Sequence, residues 1–253
     1  MEIINIGNRV VNNYIISTDK GYIVVDTGYA GSYSRFLKGL KEHHISLPEI
    51  CYIFLTHAHD DHAGFLNELI RDTKAKVIMH KESPARLLQG HNSYEGGCSN
   101  RLALFFVEIM GVLGNKRHEF PVVNIPENTF LFDGNPQFLR EEGIGIDIIA
   151  LPGHTADQIG LLTGDGILLC GDAAMNGFPG INRNIIWIES LPDYKKSWDR
   201  MIKSKAEYIY PSHGKPFPKK DLSRFRSKLE KIRLYKVLRY EKYSCPGGSS
   251  THL

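Results

Sequence analysis

The chain has 253 residues and a net charge of +3, from 31 Lys and Arg against 28 Asp and Glu, with 42% hydrophobic and 23% charged residues. That length can bury a full hydrophobic core in one or two domains, so no disulfide or metal staple is needed merely to fold. The composition excludes a disordered chain, a collagen-like fibre and a polyanion-coating protein, and leaves a soluble globular one.

In chain order, Glu2–Ile6, Val10–Ser17 and Tyr22–Asp26 read as strands, the last two joined as a hairpin through Thr18-Asp19-Lys20-Gly21. A helix follows from Tyr33, with Phe36, Leu37 and Leu40 on one face, and Cys51–Leu55 is a short apolar strand running into Thr56-His57. Phe65, Leu66, Leu69 and Ile70 then repeat at helical spacing, and Lys76–Met79 is another strand. Gly90–Gly97 is a Gly- and Asn-rich loop, and residues 114–145 show no clear organisation.

Leu102–Leu113 is an apolar run interrupted by Glu108 and Gly111, too short for the about 20 residues of a membrane span. It is expected as a buried or pocket-facing helix, with a hydrophobic wall or a homodimer contact as the alternative. The second half resembles the first. Ile146–Leu151 is a strand, and Ile159–Thr163 with Ile167–Cys170 forms a hairpin that overlays Tyr14–Thr27 at an offset of 145 residues. Two stacked sheets are therefore expected, with helices on their outer faces.

From Asp221 an amphipathic helix is predicted through Leu222, Phe225, Leu229, Ile232 and Tyr235. Lys215–Lys242 holds eleven Lys/Arg and three Asp/Glu, a local charge of +8 that leaves −5 for the remainder. A solvated face is the expectation; nucleic acid is not an expected partner. The N-terminus shows no basic segment ahead of an apolar run, and Cys51, Cys98, Cys170 and Cys245 form no C-x-x-C pair. Both features predict a cytoplasmic protein with reduced thiols and no membrane partner.

Chemistry concentrates in His57-Ala58-His59-Asp60-Asp61-His62, directly after a strand. His57 and His59, two apart in an extended turn, point the same way and can grip one ion. Asp61 and His62, at the start of the next helix, can turn to a second. A helix cap alone needs one acceptor and not three imidazoles. Imidazole with carboxylate suits Zn(II), Fe(II) or Mn(II). Further ligands are sought at other strand ends, and His154, Asp172 and His213 each lie one to four residues past an apolar strand, flanked by Gly or Pro.

This order, H-x-H-x-D-H followed by His, Asp and His, resembles the metallo-β-lactamase-fold hydrolases, from Val25-Asp26-Thr27-Gly28 to the His213 loop. The resemblance implies an α/β fold, a four-layer αββα sandwich, as a single domain over residues 1–253 with a basic C-terminal helix and tail at 216–253. It implies that His57, His59 and His154 hold a first metal, that Asp61, His62 and His213 hold a second, and that Asp172 bridges the two. Two zinc ions are the expected cofactors, with iron or manganese as alternatives. Asp26 is then a brace for the ligand loops.

The implied reaction is hydrolysis of an ester, thioester, lactone or phosphodiester by a metal-bridging hydroxide, with Asp61 shuttling the proton to the leaving group. The branch resembled is a generic glyoxalase II-like or lactonase-like one. Met175 stands where the best-known lactamases carry Lys and acyl-homoserine lactonases carry Tyr, and Asp172 stands where those lactamases carry Cys. No basic residue in Ala173–Gly180 matches the glutathione-binding residues of glyoxalase II. Pocket candidates are Gly90–Cys98, Leu102–Leu113 and Phe178–Trp187. Arg183 and Lys215 are candidate clamps for an anionic group on a small-molecule substrate. His80 is not expected to ligate. The alternative activity is that of the persulfide dioxygenases, which resemble the same fold. A single iron would there be held by His57 or His59 with His154 and Asp172.

Overall fold

A computed structural model describes residues 1–114 and 117–241. The first sheet comprises β1 (Ile3–Asn5), β2 (Tyr14–Thr18), β3 (Gly21–Val25), β4 (Ile50–Phe54) and β5 (Lys76–His80). β6 (Gly97–Cys98) lies apart, and β7 (Phe130–Phe132) completes the sheet in the order β1-β2-β3-β4-β5-β7. The second sheet is built from β8 (Ile146–Ala150), β9 (Ile159–Thr163), β10 (Ile167–Gly171), β12 (Tyr208–Pro211) and β13 (Phe217–Pro218), in the order β13-β12-β10-β9-β8. β6 pairs antiparallel with β11 (Trp187–Ile188) in a separate ribbon. The helices of the first half are α1 (Tyr33–Glu42), α2 (Asp60–Ala63), α3 (Leu66–Asp72), α4 (Ser83–Gln89) and α5 (Arg101–Leu113). Those of the second half are α6 (Phe138–Glu141), α7 (Leu191–Lys203), α8 (Lys220–Phe225) and α9 (Leu238–Glu241).

Strand alternation divides the interior into three cores, and three cores imply four layers. Ile15, Val24, Ile53 and Val77 point outward onto Phe36 and Leu40 of α1 and Leu66 and Leu69 of α3. Their neighbours Ile16, Ile23, Val25, Phe54 and Ile78 point inward onto Ile146, Ile148, Ile159, Leu161 and Leu169 of the second sheet. On the far side, Leu168, Cys170 and Ile209 pack against Tyr194, Trp198 and Met201 of α7. The αββα sandwich is thus written in the period-2 pattern of the strands.

Topology gathers the predicted ligands on one edge. β3 and β4 run parallel, as do β10 and β12, and β8 shares the direction of β10 because each is antiparallel to β9. Asp26, Thr56–His62, His154, Asp172 and His213 follow the C-terminal ends of β3, β4, β8, β10 and β12.

Three expectations are corrected. The strand placed at Val10–Ser17 begins only at Tyr14, because residues 7–13 form a turn that grips the His213 loop: Asn12 Nδ2 donates to the carbonyls of Pro211 (2.8 Å) and Gly214 (2.7 Å). The C-terminal helix is broken. α8 gives way to a 3₁₀ turn over Arg226–Lys231, and Tyr235 is extended because it exchanges backbone hydrogen bonds with Cys98 at 2.8 and 2.9 Å. Leu222 and Leu229 are buried as predicted, whereas residues 242–253 of the tail lie outside the described residues. α5, expected as a buried or pocket-facing helix, is not fully buried: it exposes Leu102, Phe105, Ile109, Met110 and Val112. No described helix is long and apolar enough to cross a membrane.

Candidate metal centre

The His57–His62 run bends where its donors must separate. His59 is extended (φ −118°, ψ 161°), so it projects beside His57, with ring centroids 4.6 Å apart. α2 then starts at Asp60 and rotates Asp61 and His62 away from that pair. His154 arrives on a turn that needs glycine at 153: φ is +135°, and a Cβ there would sit 2.3 Å from the Tyr194 backbone. Asp172 follows Gly171 (φ +55°), where a Cβ would meet Gln158 Nε2 at 2.2 Å.

Three ring nitrogens converge first. His154 Nε2 lies 3.1 Å from both His57 Nε2 and His59 Nδ1. That spacing fits donors placed tetrahedrally at about 2.0–2.1 Å from a common ion, as zinc–imidazole bonds require. A second group is Asp61, His62 and His213, with His213 Nε2 3.2 Å from Asp61 Oδ2 and His62 Nε2 3.5 Å from Asp61 Oδ1. Asp172 Oδ2 spans the two groups, at 3.5 Å from His154, 3.7 Å from His62 and 3.2 Å from His213. All seven predicted ligands therefore meet in one place, and His80 lies outside the ligand groups.

The outer nitrogens of four rings fix which lone pairs face inward. His154 Nδ1 donates to the Trp187 carbonyl (2.8 Å), His213 Nδ1 to the Val10 carbonyl (2.7 Å) and His62 Nδ1 to the Asp26 carboxylate (2.9 Å). These partners only accept, so each Nδ1 carries a proton and each Nε2 can offer its lone pair. His57 is set at one remove. Thr56 Oγ1 commits its proton to Asp26 Oδ2 (2.8 Å) and so accepts from His57 Nδ1 (3.0 Å). Asp26 thus braces two candidate ligands at once and also accepts from Thr56 N at 2.7 Å.

Without an ion the centre is electrostatically divided. Burial pushes the pKa of His57 and His59 well down, and the neighbouring imidazoles add to it, so both rings are neutral. Burial also acts to lower His62 and His213, but the carboxylates of Asp61 and Asp172 overcome it and hold both rings well above the ordinary histidine value. Burial works to raise Asp61 and Asp172, and His62 and His213 prevail, keeping both ionised. His62 Nε2 and Asp172 Oδ1 are nevertheless buried without a hydrogen-bond partner among the described residues. Two buried donor atoms left unmatched are what a divalent cation would satisfy. The donor set fits a metal.

The sequence profile of the metallo-beta-lactamase superfamily matches residues 6–213. The chain belongs to that superfamily. Among its relatives, the metallo-beta-lactamase fold-containing protein ST1585 of Sulfurisphaera tokodaii is 27% identical over 211 residues, 81% of this chain and 73% of that protein. YobT of Bacillus subtilis is 26% identical over 238 residues, covering 88% of this chain and 91% of its own. The crystal structure of ST1585 superposes with a TM-score of 0.62 at 23% identity, over 90% of this chain and 84% of that one. A mutant metallo-beta-lactamase of Cronobacter sakazakii superposes at 0.65 and 18% identity, over 90% and 89%. These structures share the fold.

This superfamily member supports its ligand loops with residues that carried no signal in the sequence. Asp157 is fully buried and accepts from Ala58 N (3.0 Å), between two ligands, and from Ser83 Oγ (2.8 Å) at the start of α4. Arg86 binds Glu189 bidentately at 2.8 and 2.9 Å, and Glu189 accepts from Ala156 N (3.0 Å) beside His154. Each is a single side chain acting across a large sequence separation. Only the Asn-rich stretch around Asn12 could have hinted at a loop clamp.

The pocket candidates divide. Trp187 Nε1 donates to the Glu95 carbonyl (2.9 Å), tying the 90–98 loop to the ribbon that holds His154. Arg183 is not a free anion clamp: it is committed to Asp221 at 2.7 and 3.0 Å and stacks over Phe217. Lys215 is exposed, and its carbonyl accepts from Asn176 Nδ2 (2.8 Å). Met175, at the position that departs from lactamases and lactonases, is buried against Gly180.

Asp60 joins the metal loop to the 91–118 segment. Its backbone N–H and a carboxylate oxygen exchange hydrogen bonds with Asn92 at 2.7 Å each, and its other oxygen faces His118 Nδ1 at 3.3 Å. Burial lowers the His118 pKa, but the Asp60 contact outweighs it and raises the ring above its ordinary value. The His118–Asp60 contribution is therefore complete below the unfolded-state value of about 6.5 and fades as pH rises through the raised folded value. With the His118 side chain 34% exposed, the pair is worth less than about 1 kcal/mol. His118→Gln should lower Tm by about 1–3 °C near pH 6, with the gap closing towards about pH 9. Melting curves at both pH values check this, and a gap that widens with pH refutes it.

Proposed function

We propose that the protein is a dinuclear metal-dependent hydrolase acting on an ester, thioester, lactone or phosphodiester. The observation that carries this reading is the position of Asp172 Oδ2, within 3.5 Å of His154 in one ligand group and 3.2 Å of His213 in the other. His57, His59 and His154 would hold one ion, Asp61, His62 and His213 the other, and Asp172 both. Bound there, zinc would supply Lewis acidity and bring the pKa of water near neutrality. Imidazole and carboxylate donors equally accept iron or manganese.

The chain's own contribution is placement. His154 and His213 are fixed by backbone carbonyls, and His57 and His62 through Asp26, so the donors cannot rotate away. Asp61, ionised and 8% exposed, is the carboxylate assigned to take the proton of the attacking water and return it to the leaving group. Burial of His57, His59, His62, His154 and Asp172 leaves the side of Asp61 and His213 as the one open to water.

Metal stoichiometry by elemental mass spectrometry on freshly purified protein tests the reading. About two zinc ions per chain, with chelator-sensitive turnover on a panel of thioesters, lactones and phosphodiesters, is the expected result. One iron per chain, with oxygen uptake on persulfides, would replace it with the dioxygenase activity.

A further inference from the structure

α5 is apolar over nearly all of its circumference, and the described residues cover only part of it. Ala103 and Gly111 face inward, and Arg239 lies so close over Gly111 that a Cβ there would meet its guanidinium at 2.1 Å. Facing outward are Leu102, Phe105, Ile109 and Val112, exposed by 39, 64, 39 and 73%. Met110 and Phe178 extend the same face, and the Phe178 ring stands edge-on to Phe106 with centroids 6.0 Å apart.

A helix that is apolar all round is ordinarily buried, so the outer face calls for a cover. Its spacing of three, four and three residues is the seam that two packed helices use. A helix lying on a bilayer surface carries a charged polar face. α5 has none: Glu108 is taken by Arg239, and Arg101 leans over Tyr235. Nor is the outer side of a helix the concave pocket that small ligands need. Residues 242–253, which follow α9, contain only Tyr243, Cys245, Pro246 and Leu253 to offer such a seam. The six exposed side chains present roughly 600 Å², so two copies would bury on the order of 1,200 Å², enough for a specific interface.

We propose that α5 forms a twofold homodimer contact, with α5 of one protomer packed on α5 of its partner along Leu102, Phe105, Ile109 and Val112. The same patch on both copies closes the assembly without exposing a further apolar surface. Phe178, on the loop that follows Asp172, lies at the rim of this contact. The contact therefore borders the candidate site without supplying a ligand to it.

Sedimentation equilibrium on the full-length protein, from about 1 to about 100 μM, tests this. The expected mass is twice the 28.6 kDa of the chain, falling to 28.6 kDa for Phe105→Glu/Ile109→Lys. Val112→Lys alone, among the most exposed seam positions, should weaken the dimer at least tenfold with the far-UV circular dichroism spectrum of the wild type retained, which separates loss of contact from loss of fold. A wild-type chain that stays at 28.6 kDa, or a double variant that remains dimeric, overturns the proposal. A monomer that floats with phosphatidylcholine–phosphatidylglycerol vesicles overturns it in favour of a bilayer.

Discussion

Asp61→Asn should lower turnover by about two to four orders of magnitude, leave KM within severalfold, and keep the metal content of the wild type. The substitution preserves shape and one carbonyl oxygen for ligation, and removes the negative charge and with it the ability to take up a proton. Asp61 is suited to that task by its position. Its two oxygens face His62 and His213 at 3.5 and 3.2 Å, inside the cluster. It is also the ligand carboxylate with the larger exposure, 8% against 3% for Asp172, so it can reach a leaving group. Steady-state kinetics with parallel metal analysis distinguishes the outcomes. Unchanged turnover removes the proton-transfer role, and a fall matched by metal loss assigns Asp61 to ligation alone.

Much of this centre could be read from the sequence because its candidate ligands announce themselves locally. His57, His59, Asp61 and His62 fall in one short run, and His154, Asp172 and His213 each stand just beyond an apolar strand. Strand alternation likewise carried the two sheets, since Ile15 and Ile16 must face different cores. What could not be read was the partner of each apolar or polar group. The spacing Leu222, Phe225, Leu229, Ile232, Tyr235 fits one helix, yet Tyr235 is claimed by Cys98 and the helix stops. The run Leu102–Leu113 reads as buried because hydrophobicity does not specify what covers it. Arg183 looked like a free cation because nothing local reveals Asp221, 38 residues on. Asp157, a buried brace between His57 and His59, has no local signature at all.

Asp26 concentrates this non-local logic, and its replacement should disable both proposed metal positions without touching a proposed ligand. In Asp26→Asn the oxygen that accepts Thr56 N can remain a carbonyl, and asparagine tolerates the left-handed backbone at φ +60°. The other oxygen becomes an amide N–H₂ facing His62 Nδ1 and Thr56 Oγ1, both of which now have to accept. His62 must then carry its proton on Nε2, towards the site. The Thr56 hydroxyl, no longer committed to Asp26, turns its proton to His57 Nδ1, and His57 must do the same. One atom changed in a buried brace thus reverses two tautomers, one in each ligand group.

Each position should lose about 10- to 100-fold in metal affinity, the usual cost of removing such a support. Asp26→Ala should instead lose stability as well. It removes the acceptor of Thr56 N, Thr56 Oγ1, His62 Nδ1 and Ser212 Oγ, at about 1–3 kcal/mol for each group left unpaired, and puts a Cβ-bearing residue without a compensating hydrogen bond at positive φ. Calorimetric zinc titration of the two variants, alongside their melting curves, separates the effects. Wild-type affinity in Asp26→Asn would mean that His57 and His62 are oriented by packing rather than by proton direction.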